Sequence, residues 1–246
     1  MAELTPAQEE QLTAAYQEAF NVWLPQAEAA VLGGYQKFGI SPDPAAINMT
    51  SAAWRDQVEQ VSSSQLRPLA ADAYQSEFPA TAAPVAALVA TGLIGGAAVA
   101  TLAFLAAQVG EVQATLMSLI SRSLNLAEAV AAIRQFMDPR NPHWAGKSRQ
   151  FAQTEGDRWV QAATLAGAMA AQAFDGKERS KVWVSRDDDA VRFAHSVADG
   201  QRRRLGETFT VGGFPMMYPL DPAAPPDLVV NCRCKMRIDR QGVSRG

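Results

Sequence analysis

Cysteine and histidine are scarce in this chain, which contains two residues of each type among its 246 residues. The cysteines, Cys232 and Cys234, are separated by one residue, and such a pair cannot supply the disulfide framework of a small secreted protein. Residues 1–4 also show no basic stretch followed by an apolar run, which is the pattern of a signal peptide. We therefore expect the protein to fold in a reducing cytoplasm.

The sequence also lacks the short motifs that mark common catalytic sites. It contains no phosphate-binding glycine loop, no His-Glu-x-x-His helix and no Gly-x-Ser-x-Gly elbow. The acids Asp187 to Asp189 resemble a nuclease metal cluster only superficially, since successive side chains point to different faces and a helix N-terminus also favours acids. His195 with Asp199 or Cys232 would make a catalytic dyad, but no sequence feature fixes that geometry. We therefore predict that the chain is not an enzyme and uses no cofactor.

Charge is absent from residues 85–109, and this is the most unusual feature of the sequence. A helix of that length would cross a hydrocarbon core of about 30 Å, and Gly92 and Gly96 are spaced as in the close-packing motif of membrane helices. One or two helices buried in a bundle or subunit interface would show the same pattern. The buried interpretation is favoured, because alanine supplies much of the run and flanking basic residues are missing.

Charge is unevenly divided between the two ends of the chain. Residues 177–246 carry 13 Lys and Arg against 9 Asp and Glu, whereas residues 1–176 carry 9 against 16. With 48% apolar and 19% charged residues, the composition is that of a globular protein. The mildly basic C-terminal part suits either a polyanionic partner or an ordinary solvated surface.

Apolar residues recur at three- and four-residue spacing over much of the chain, which predicts helices. The first predicted helix begins at Thr5-Pro6 and ends by residues 39–44, and the second begins at Asp43-Pro44 and stops before Ser62. A third covers Leu66 to Tyr74, and a fourth covers Val109 to Met137 with a restart near Ser123. The fifth covers Ser148 to Phe174 and is capped at Gly176. Residues 138–142 form the clearest boundary, because two prolines and an asparagine stop a helix. His143 beyond them is predicted to be a surface loop residue.

The last third of the chain predicts a different kind of structure. Lys181 to Val184 is a strand by its alternation and its Val and Trp content, and Leu228 to Ile238 is a second strand. Asp187 to Ala198 is a short helix that Asp187 or Asp188 caps, and prolines and glycines exclude regular helix between Gly200 and Pro226. The fold class is therefore α+β and predominantly α: a helical region, residues 1–142, precedes a small loop-rich α+β lobe with short strands, residues 143–246.

An ordered set of motif residues runs through this lobe. The set comprises Trp183, Asp187 to Asp189, Arg192, His195, Gly200, Phe209, the segment Tyr218-Pro219-Leu220-Asp221-Pro222, and Asn231-Cys232-Arg233-Cys234. It resembles the C-terminal domain of the phage Mu F-like family, the minor head (head morphogenesis) proteins of tailed phages. The resemblance covers roughly residues 147–238 and extends upstream to Ala152-Gln153-Thr154-Glu155, where Gln153 replaces the usual arginine of the family.

The resemblance implies a structural minor head protein of a tailed phage, incorporated in low copy during procapsid assembly and associated with the portal. It implies roles in head morphogenesis and in DNA packaging or ejection, inside the capsid at the portal vertex, after assembly in the host cytoplasm. The expected partners of the helical region are the portal protein and further copies of this chain, with scaffold or major capsid protein as additional candidates. The alternative is a membrane-active ejection protein that inserts through residues 85–109.

His195, Cys232 and Cys234 carry soft and borderline metal ligands, and a strand would place both sulfurs on one side. With an aspartate from residues 187–199 as a fourth ligand, they would bind zinc and stabilise the lobe. Structural zinc sites usually have two well-spaced ligand pairs, whereas here the fourth ligand is unidentified. The favoured interpretation is a buried thiol pair, without metal, near a histidine that hydrogen-bonds the proline-rich loop.

Basic residues of the lobe are candidates for contact with packaged double-stranded DNA. The candidates are Arg202, Arg203, Arg204, Lys235 and Arg237, with Arg233 and Arg240 beside them. Such contacts would be made to phosphates and would not read the base sequence.

Overall fold

The computed structural model describes residues 3–38, 44–78, 110–112, 114–123 and 125–240, with side chains described throughout except at 34–38 and 44–51. Helices dominate these residues, and short strands form small sheets beside them. The predicted class, predominantly helical α+β with N-terminal helices, is confirmed. The apolar segment 85–109 lies outside the described residues. Among the residues that are described, no helix combines the length and hydropathy needed to cross a membrane.

Longer helices come first among the described elements, and short helices and strands follow after residue 175. The helices are α1 (Pro6–Phe38), α2 (Pro44–Val61), α3 (Arg67–Glu77), α4 (Leu126–Met137), α5 (Pro142–Asp175), α6 (Phe193–Ala198) and α7 (Pro226–Val229). The strands are β1 (Ser180–Val184), β2 (Arg202–Arg204), β3 (Phe209–Val211), β4 (Phe214–Met216) and β5 (Lys235–Asp239). Residues 110–112 and 114–122 are helical as well.

Helix α1 begins where the sequence predicts, because Thr5 and Gln8 cap it reciprocally. The Thr5 hydroxyl accepts the Gln8 N–H at 3.3 Å, and the Gln8 side-chain oxygen accepts the Thr5 N–H at 2.9 Å. Two N–H groups without helical partners are thereby satisfied, and Pro6 occupies the first turn, where its missing N–H costs nothing.

The predicted break at Ser62 is wrong, since α2 and α3 are joined by a π-helical turn, Ser62–Leu66. Backbone angles stay helical from Val61 to Arg67 across this turn. Pro68 explains the wider turn, because its ring excludes a normal hydrogen bond to the carbonyl four residues earlier. Ser64 adds a hydrogen bond from its hydroxyl to the Gln60 carbonyl at 2.7 Å.

Helix α5 starts six residues earlier than predicted. Asn141 is its N-cap and accepts the His143 N–H at 3.0 Å, so Pro142 opens the helix instead of stopping it. His143 is exposed as predicted, but it lies in the first helical turn and not in a loop. The predicted ends are confirmed elsewhere: Gly176 caps α5 at a φ of 68°, and Asn125 caps α4 at its predicted restart.

Helix α5 packs against α1 and α3, and the contact with α1 is aromatic. Phe20 lies 4.8 Å from Trp54 and 5.7 Å from Phe151, and Tyr16 meets Phe151 edge-on at 5.6 Å, measured between ring centroids. Trp23 and Trp144 complete this aromatic core, which is defined by Tyr16, Phe20, Trp23, Trp54, Trp144 and Phe151.

The division of the chain into domains at residue 142 stays a prediction.

Helices α3 and α5 approach closely at a glycine. A Cβ atom at Gly167 would lie 2.6 Å from the Tyr74 carbonyl oxygen, a distance that van der Waals radii forbid. The α5 backbone can therefore lie directly against α3 only because residue 167 has no side chain.

The C-terminal lobe contains a three-stranded antiparallel sheet in the order β2-β1-β5 and a separate β3-β4 hairpin. The predicted strand from Leu228 is wrong at its start, since helix α7 and a turn occupy residues 226–234 and the strand begins at Lys235. The predicted helix from Asp187 also begins later, at Phe193. Asp187 has a φ of 49°, and the N-cap is Arg192, which makes no side-chain cap bond.

Candidate functional site

The candidate site is the thiol–histidine cluster, formed by His195, Cys232 and Cys234. The Nδ1 atom of His195 lies 3.3 Å from the Cys234 sulfur and 3.4 Å from the Cys232 sulfur. All three side chains are 4% exposed or less, and both cysteines are free. The structure therefore brings together the three residues that the sequence selected as possible metal ligands.

Helix α6 and the loop before β5 position these side chains. His195 lies in α6, and the Arg192 guanidinium before it donates to the Val230 carbonyl at 2.5 Å, which ties the helix to that loop. Asn231 adopts a left-handed φ of 57°, a conformation that Asn tolerates better than most residues. The turn, and not the predicted strand, therefore places both sulfurs beside one imidazole nitrogen.

Through a hydrogen bond, Gly200 connects the end of α6 to the strand that carries Trp183. Its φ of 73° lets the chain reverse directly after α6, and its N–H donates to the Trp183 carbonyl at 3.0 Å. The Trp183 ring is fully buried and meets His195 edge-on at 5.7 Å and Phe209 edge-on at 5.4 Å. Trp183 thus packs directly against the His195 ring, and Gly200 is hydrogen-bonded to Trp183.

The upstream segment of α5 is joined to the cysteine loop. The Thr154 hydroxyl accepts the Asn231 N–H at 3.3 Å, which links this segment to the start of the Asn-Cys-Arg-Cys motif. Gln153 of the same segment donates to the Glu9 carboxylate of α1 at 2.8 Å. The Gln153 amide therefore contacts an acidic side chain, that of Glu9.

The two thiols compete for a proton. A hydrogen bond from the Cys234 thiol, helped by His195, lowers the pKa of Cys232 to about 5 against the opposing effect of burial. The same contact with Cys232, followed by burial, raises the pKa of Cys234 far above its usual value. The indole N–H of Trp183 and the charge of Arg192 act the other way on Cys234. The protonation of each thiol therefore depends on that of the other.

The predicted hydrogen bond from His195 to the proline-rich loop is wrong. The Nδ1 atom of His195 faces the sulfurs, and its Nε2 atom is buried without a hydrogen-bond partner among the described residues. The dyad with Asp199 is also not formed, since this carboxylate accepts the Ser185 N–H at 2.6 Å. Both polar contacts of the imidazole among the described residues are therefore with sulfur, and its ring also meets Trp183 edge-on.

The motif residues Tyr218, Pro219 and Asp221 lie in a second cluster, the tyrosine turn (residues 218–222). The Asp221 carboxylate accepts the Met217 N–H at 2.6 Å and the Ala223 N–H at 2.9 Å, which holds Leu220 at a left-handed φ of 72°. Burial raises the pKa of Tyr218 well above its usual value. This turn therefore has a structural role separate from the thiol–histidine cluster.

Sequence reasoning missed the ion pair that holds the tyrosine turn. Arg158 donates to the Leu220 carbonyl at 3.0 Å and forms a buried pair with Glu155, whose side chain is 0% exposed. The available signal was the presence of Glu155 and Arg158 on the apolar face of a long helix, where charged residues are rarely buried unless paired.

Two buried lysines, Lys181 of β1 and Lys235 of β5, were not recognised as buried from the sequence. Lys181 donates to the Met217 carbonyl at 2.7 Å and lies over the Phe209 ring, and burial lowers its pKa from 10.5 to about 8. Lys235 pairs with Asp157 at 2.5 Å, and both are largely buried. Burial raises the pKa of Asp157, although the Lys235 ammonium opposes that effect.

Only some of the basic residues predicted to contact DNA are exposed on a shared surface. Lys235 is 8% exposed and paired with Asp157, so its inclusion among phosphate contacts was wrong. Arg203 is half-buried and donates to the Thr208 carbonyl at 3.2 Å.

Three other arginines share one side of the sheet, which we term the basic face: Arg202, Arg204 and Arg237. Strand register places Arg202 and Arg237 on either side of Val182, and Arg204 beside Ser180. Arg202 is already paired with Asp239 at 2.5 Å. Among the described residues, Arg204 and Arg237 have no acidic partner within salt-bridge distance.

Arg233 and the aspartates preceding α6 form a surface ion pair. The Arg233 guanidinium contacts Asp188 at 2.7 Å, and this hydrogen bond is the main reason that the pKa of the Asp188 carboxyl is lowered. Arg240 contacts Glu77 of α3 at 3.2 Å. Arg233 and Arg240 are thus engaged with acids of the same chain.

Searches of protein-family models, curated proteins and solved structures found no match to this chain.

Proposed function

We propose that this chain is a structural minor head protein of a tailed phage, incorporated in low copy at the portal vertex during procapsid assembly. The observation that carries the proposal is the ordered set of lobe motifs, which resembles the Mu F-like family from Trp183 to Cys234. The proposed role is in head morphogenesis and in DNA packaging or ejection. The portal protein is the expected partner, and copies of this chain, scaffold and major capsid protein are further candidates.

The arrangement of the motif residues supports a structural role. The buried motif residues include two groups, the thiol–histidine cluster and the tyrosine turn, whereas Asp187 to Asp189 are exposed. Both groups are joined to α5, one through Thr154 and the other through Arg158. A substrate would have no direct access to His195 or to the thiols, since their side chains are at most 4% exposed. We therefore propose that the motif maintains the shape of the lobe and does not catalyse a reaction.

The basic face supports a contact with packaged DNA. Arg204 and Arg237 project from one side of a three-stranded sheet and are exposed, whereas the region before residue 177 carries an excess of acids. Phosphate contacts of this kind strengthen binding without reading sequence.

Quantitative mass spectrometry of purified heads tests the proposal. The chain should be present in procapsids and in mature virions of the phage that encodes it, at a copy number similar to that of the portal protein. It should stay far below the major capsid protein in the same gradient fractions. Heads from a phage with an early stop codon in this gene serve as the matched control. Absence of the chain from both procapsids and virions would contradict the proposal.

A further inference from the structure

The thiol–histidine cluster has a geometry that packed thiols do not require. His195 lies 37 and 39 positions before the two cysteines, yet its nitrogen and both sulfurs converge so that all three ligand atoms lie within 4.8 Å of one another. Among the described residues, no other group of three or more His, Cys, Asp or Glu side chains converges in this way. Cys, His and a buried position are the usual components of protein zinc sites.

From this geometry we propose that His195, Cys232 and Cys234 bind one Zn²⁺ ion through Nδ1 and two thiolate sulfurs. The inference concerns the metal content of the lobe and stands independently of the proposed role in phage heads. It also reverses the favoured prediction from sequence, because the imidazole faces the sulfurs and not the proline-rich loop.

The separations of the ligand atoms match those around a tetrahedral zinc ion. With Zn–N of about 2.0–2.1 Å and Zn–S of about 2.3 Å, a nitrogen and a sulfur ligand lie roughly 3.5 Å apart. The observed Nδ1–sulfur separations are 3.3 and 3.4 Å. Both nitrogen–sulfur separations therefore agree with the tetrahedral value to within about 0.2 Å.

The charges of the proposed complex suit a buried position. Two thiolates neutralise the divalent cation, and His195 binds as a neutral ligand, with its proton on Nε2. Zinc binding requires both cysteines as thiolates, so the thiol protons still present are released when the ion binds.

The described residues supply three ligands, so a water molecule is proposed to complete the tetrahedron. Among the described residues no carboxylate converges with the three ligands: Asp188 pairs with Arg233, Asp199 accepts the Ser185 N–H, and Asp187 and Asp189 are exposed. The burial of the cluster indicates a structural ion that stabilises the lobe, because a substrate would not reach the fourth position.

Metal analysis of the full chain tests the proposal directly. The protein should be purified without a metal-affinity tag and under a reductant that does not bind metal. Inductively coupled plasma mass spectrometry should then give about one zinc ion per chain. Removal of the ion by a chelator should lower the Tm by roughly 10 °C or more, and zinc should restore it. Less than about 0.2 zinc per chain, with no effect of added zinc on the Tm, would overturn the proposal.

Cobalt substitution identifies the ligands and does not depend on the stability of variants. Co²⁺ bound to two thiolates in a tetrahedral site gives sulfur-to-metal charge-transfer bands and intense visible d–d bands. Both should appear when Co²⁺ is added to the chelator-treated wild-type chain, and zinc should abolish them. A Co²⁺ complex without thiolate bands, or a disulfide between Cys232 and Cys234 in the purified protein, would overturn the proposal.

Variants at one ligand separate coordination from packing. His195→Gln should lose at least tenfold in zinc affinity, whereas His195→Cys replaces one ligand with another and should retain the metal. His143→Ala changes the other histidine of the chain, which is exposed on α5, and should retain zinc as the matched control. Equal zinc affinity in His195→Gln and wild type, measured by competition with a chelator, would overturn the proposal. If these variants do not fold, the metal analysis and the cobalt spectra of the wild type still decide.

Discussion

The N-terminal helices and the C-terminal lobe bury very different groups. The aromatic core between α1, α2 and α5 consists mainly of stacked, tilted and edge-on rings, with one hydrogen bond from the Trp144 indole to the Phe136 carbonyl. The lobe instead buries charged and titratable groups, each with a specified partner: Glu155 with Arg158, Asp157 with Lys235, Lys181 with a carbonyl, and His195 with two thiols.

The difference follows from the amount of regular structure in each region. Long helices present continuous apolar stripes, so the helical region can use non-directional packing. The strands of the lobe are only three to five residues long and cannot form a large core by themselves. Directional contacts to named atoms compensate for the missing area, and they make the lobe more sensitive to single substitutions.

The largest expected effect is that of Arg158→Ala. This change leaves the Glu155 carboxylate buried without its arginine and removes the donor to the Leu220 carbonyl, so the free energy of unfolding should fall by about 3–5 kcal/mol. Urea denaturation measures the loss. The double variant Glu155→Gln/Arg158→Met removes both charges and should lose clearly less. Equal losses in the single and double variants would show that the ion pair is not the cause.

A pH dependence should distinguish the lobe from the helical region. The folded pKa of Lys181 is lowered from 10.5 to about 8, so between these values the unfolded chain binds more protons than the folded one. The free energy of unfolding therefore rises with pH across this window, by up to about 3 kcal/mol. The difference between wild type and Lys181→Met isolates the effect from other titrating groups. A difference that stays constant between pH 7 and 10.5 would contradict the assigned burial of the ammonium.

A conservative change in the aromatic core should cost less. Phe20→Leu keeps an apolar side chain but loses ring contacts to Trp54 and Phe151, so we expect a loss of about 1–2 kcal/mol in the free energy of unfolding. Urea denaturation should show an unchanged slope with a lower midpoint. A loss as large as that of Arg158→Ala would remove the distinction between the two regions.

The smallest expected effect concerns the surface and does not change stability. If the basic face contacts phosphates, Arg204→Ser/Arg237→Ser should reduce the slope of log affinity against log salt by about 2 for duplex DNA of any sequence. Fluorescence anisotropy over a range of salt concentrations measures this slope. Arg134→Ser/Arg149→Ser removes two exposed arginines from the acidic region and should leave the slope unchanged. The same slope in both double variants would exclude the basic face.

Local sequence signals predicted the elements whose ends depend on neighbouring residues. Thr5 with Gln8, Asn125 with Glu128, and Gly176 act within one helical turn, so their caps could be recognised directly. The start of α5 was missed because the same residues, Asn141 and Pro142, can either stop a helix or open one.

The site required information that local patterns do not contain. The sequence selected His195, Cys232 and Cys234 by ligand type, but their convergence depends on the left-handed Asn231 and on the bond from Arg192 to Val230. The partners of Arg158 are brought together by a contact across 62 residues of chain. Periodicity identifies an apolar face, but it does not show which charged residue on that face will find a distant partner.

Helix α5 carries the aromatic residues of one region and the polar residues of the other on a single helix, which fixes the angular phase between them. One residue inserted between Phe151 and Thr154 would rotate the later contacts of α5 by about 100° and advance them by about 1.5 Å. Thr154 and Arg158 would then point away from the cysteine loop and the tyrosine turn, although every residue type was retained. The alignment of the two regions is therefore encoded in the number of residues along α5 as much as in their chemistry.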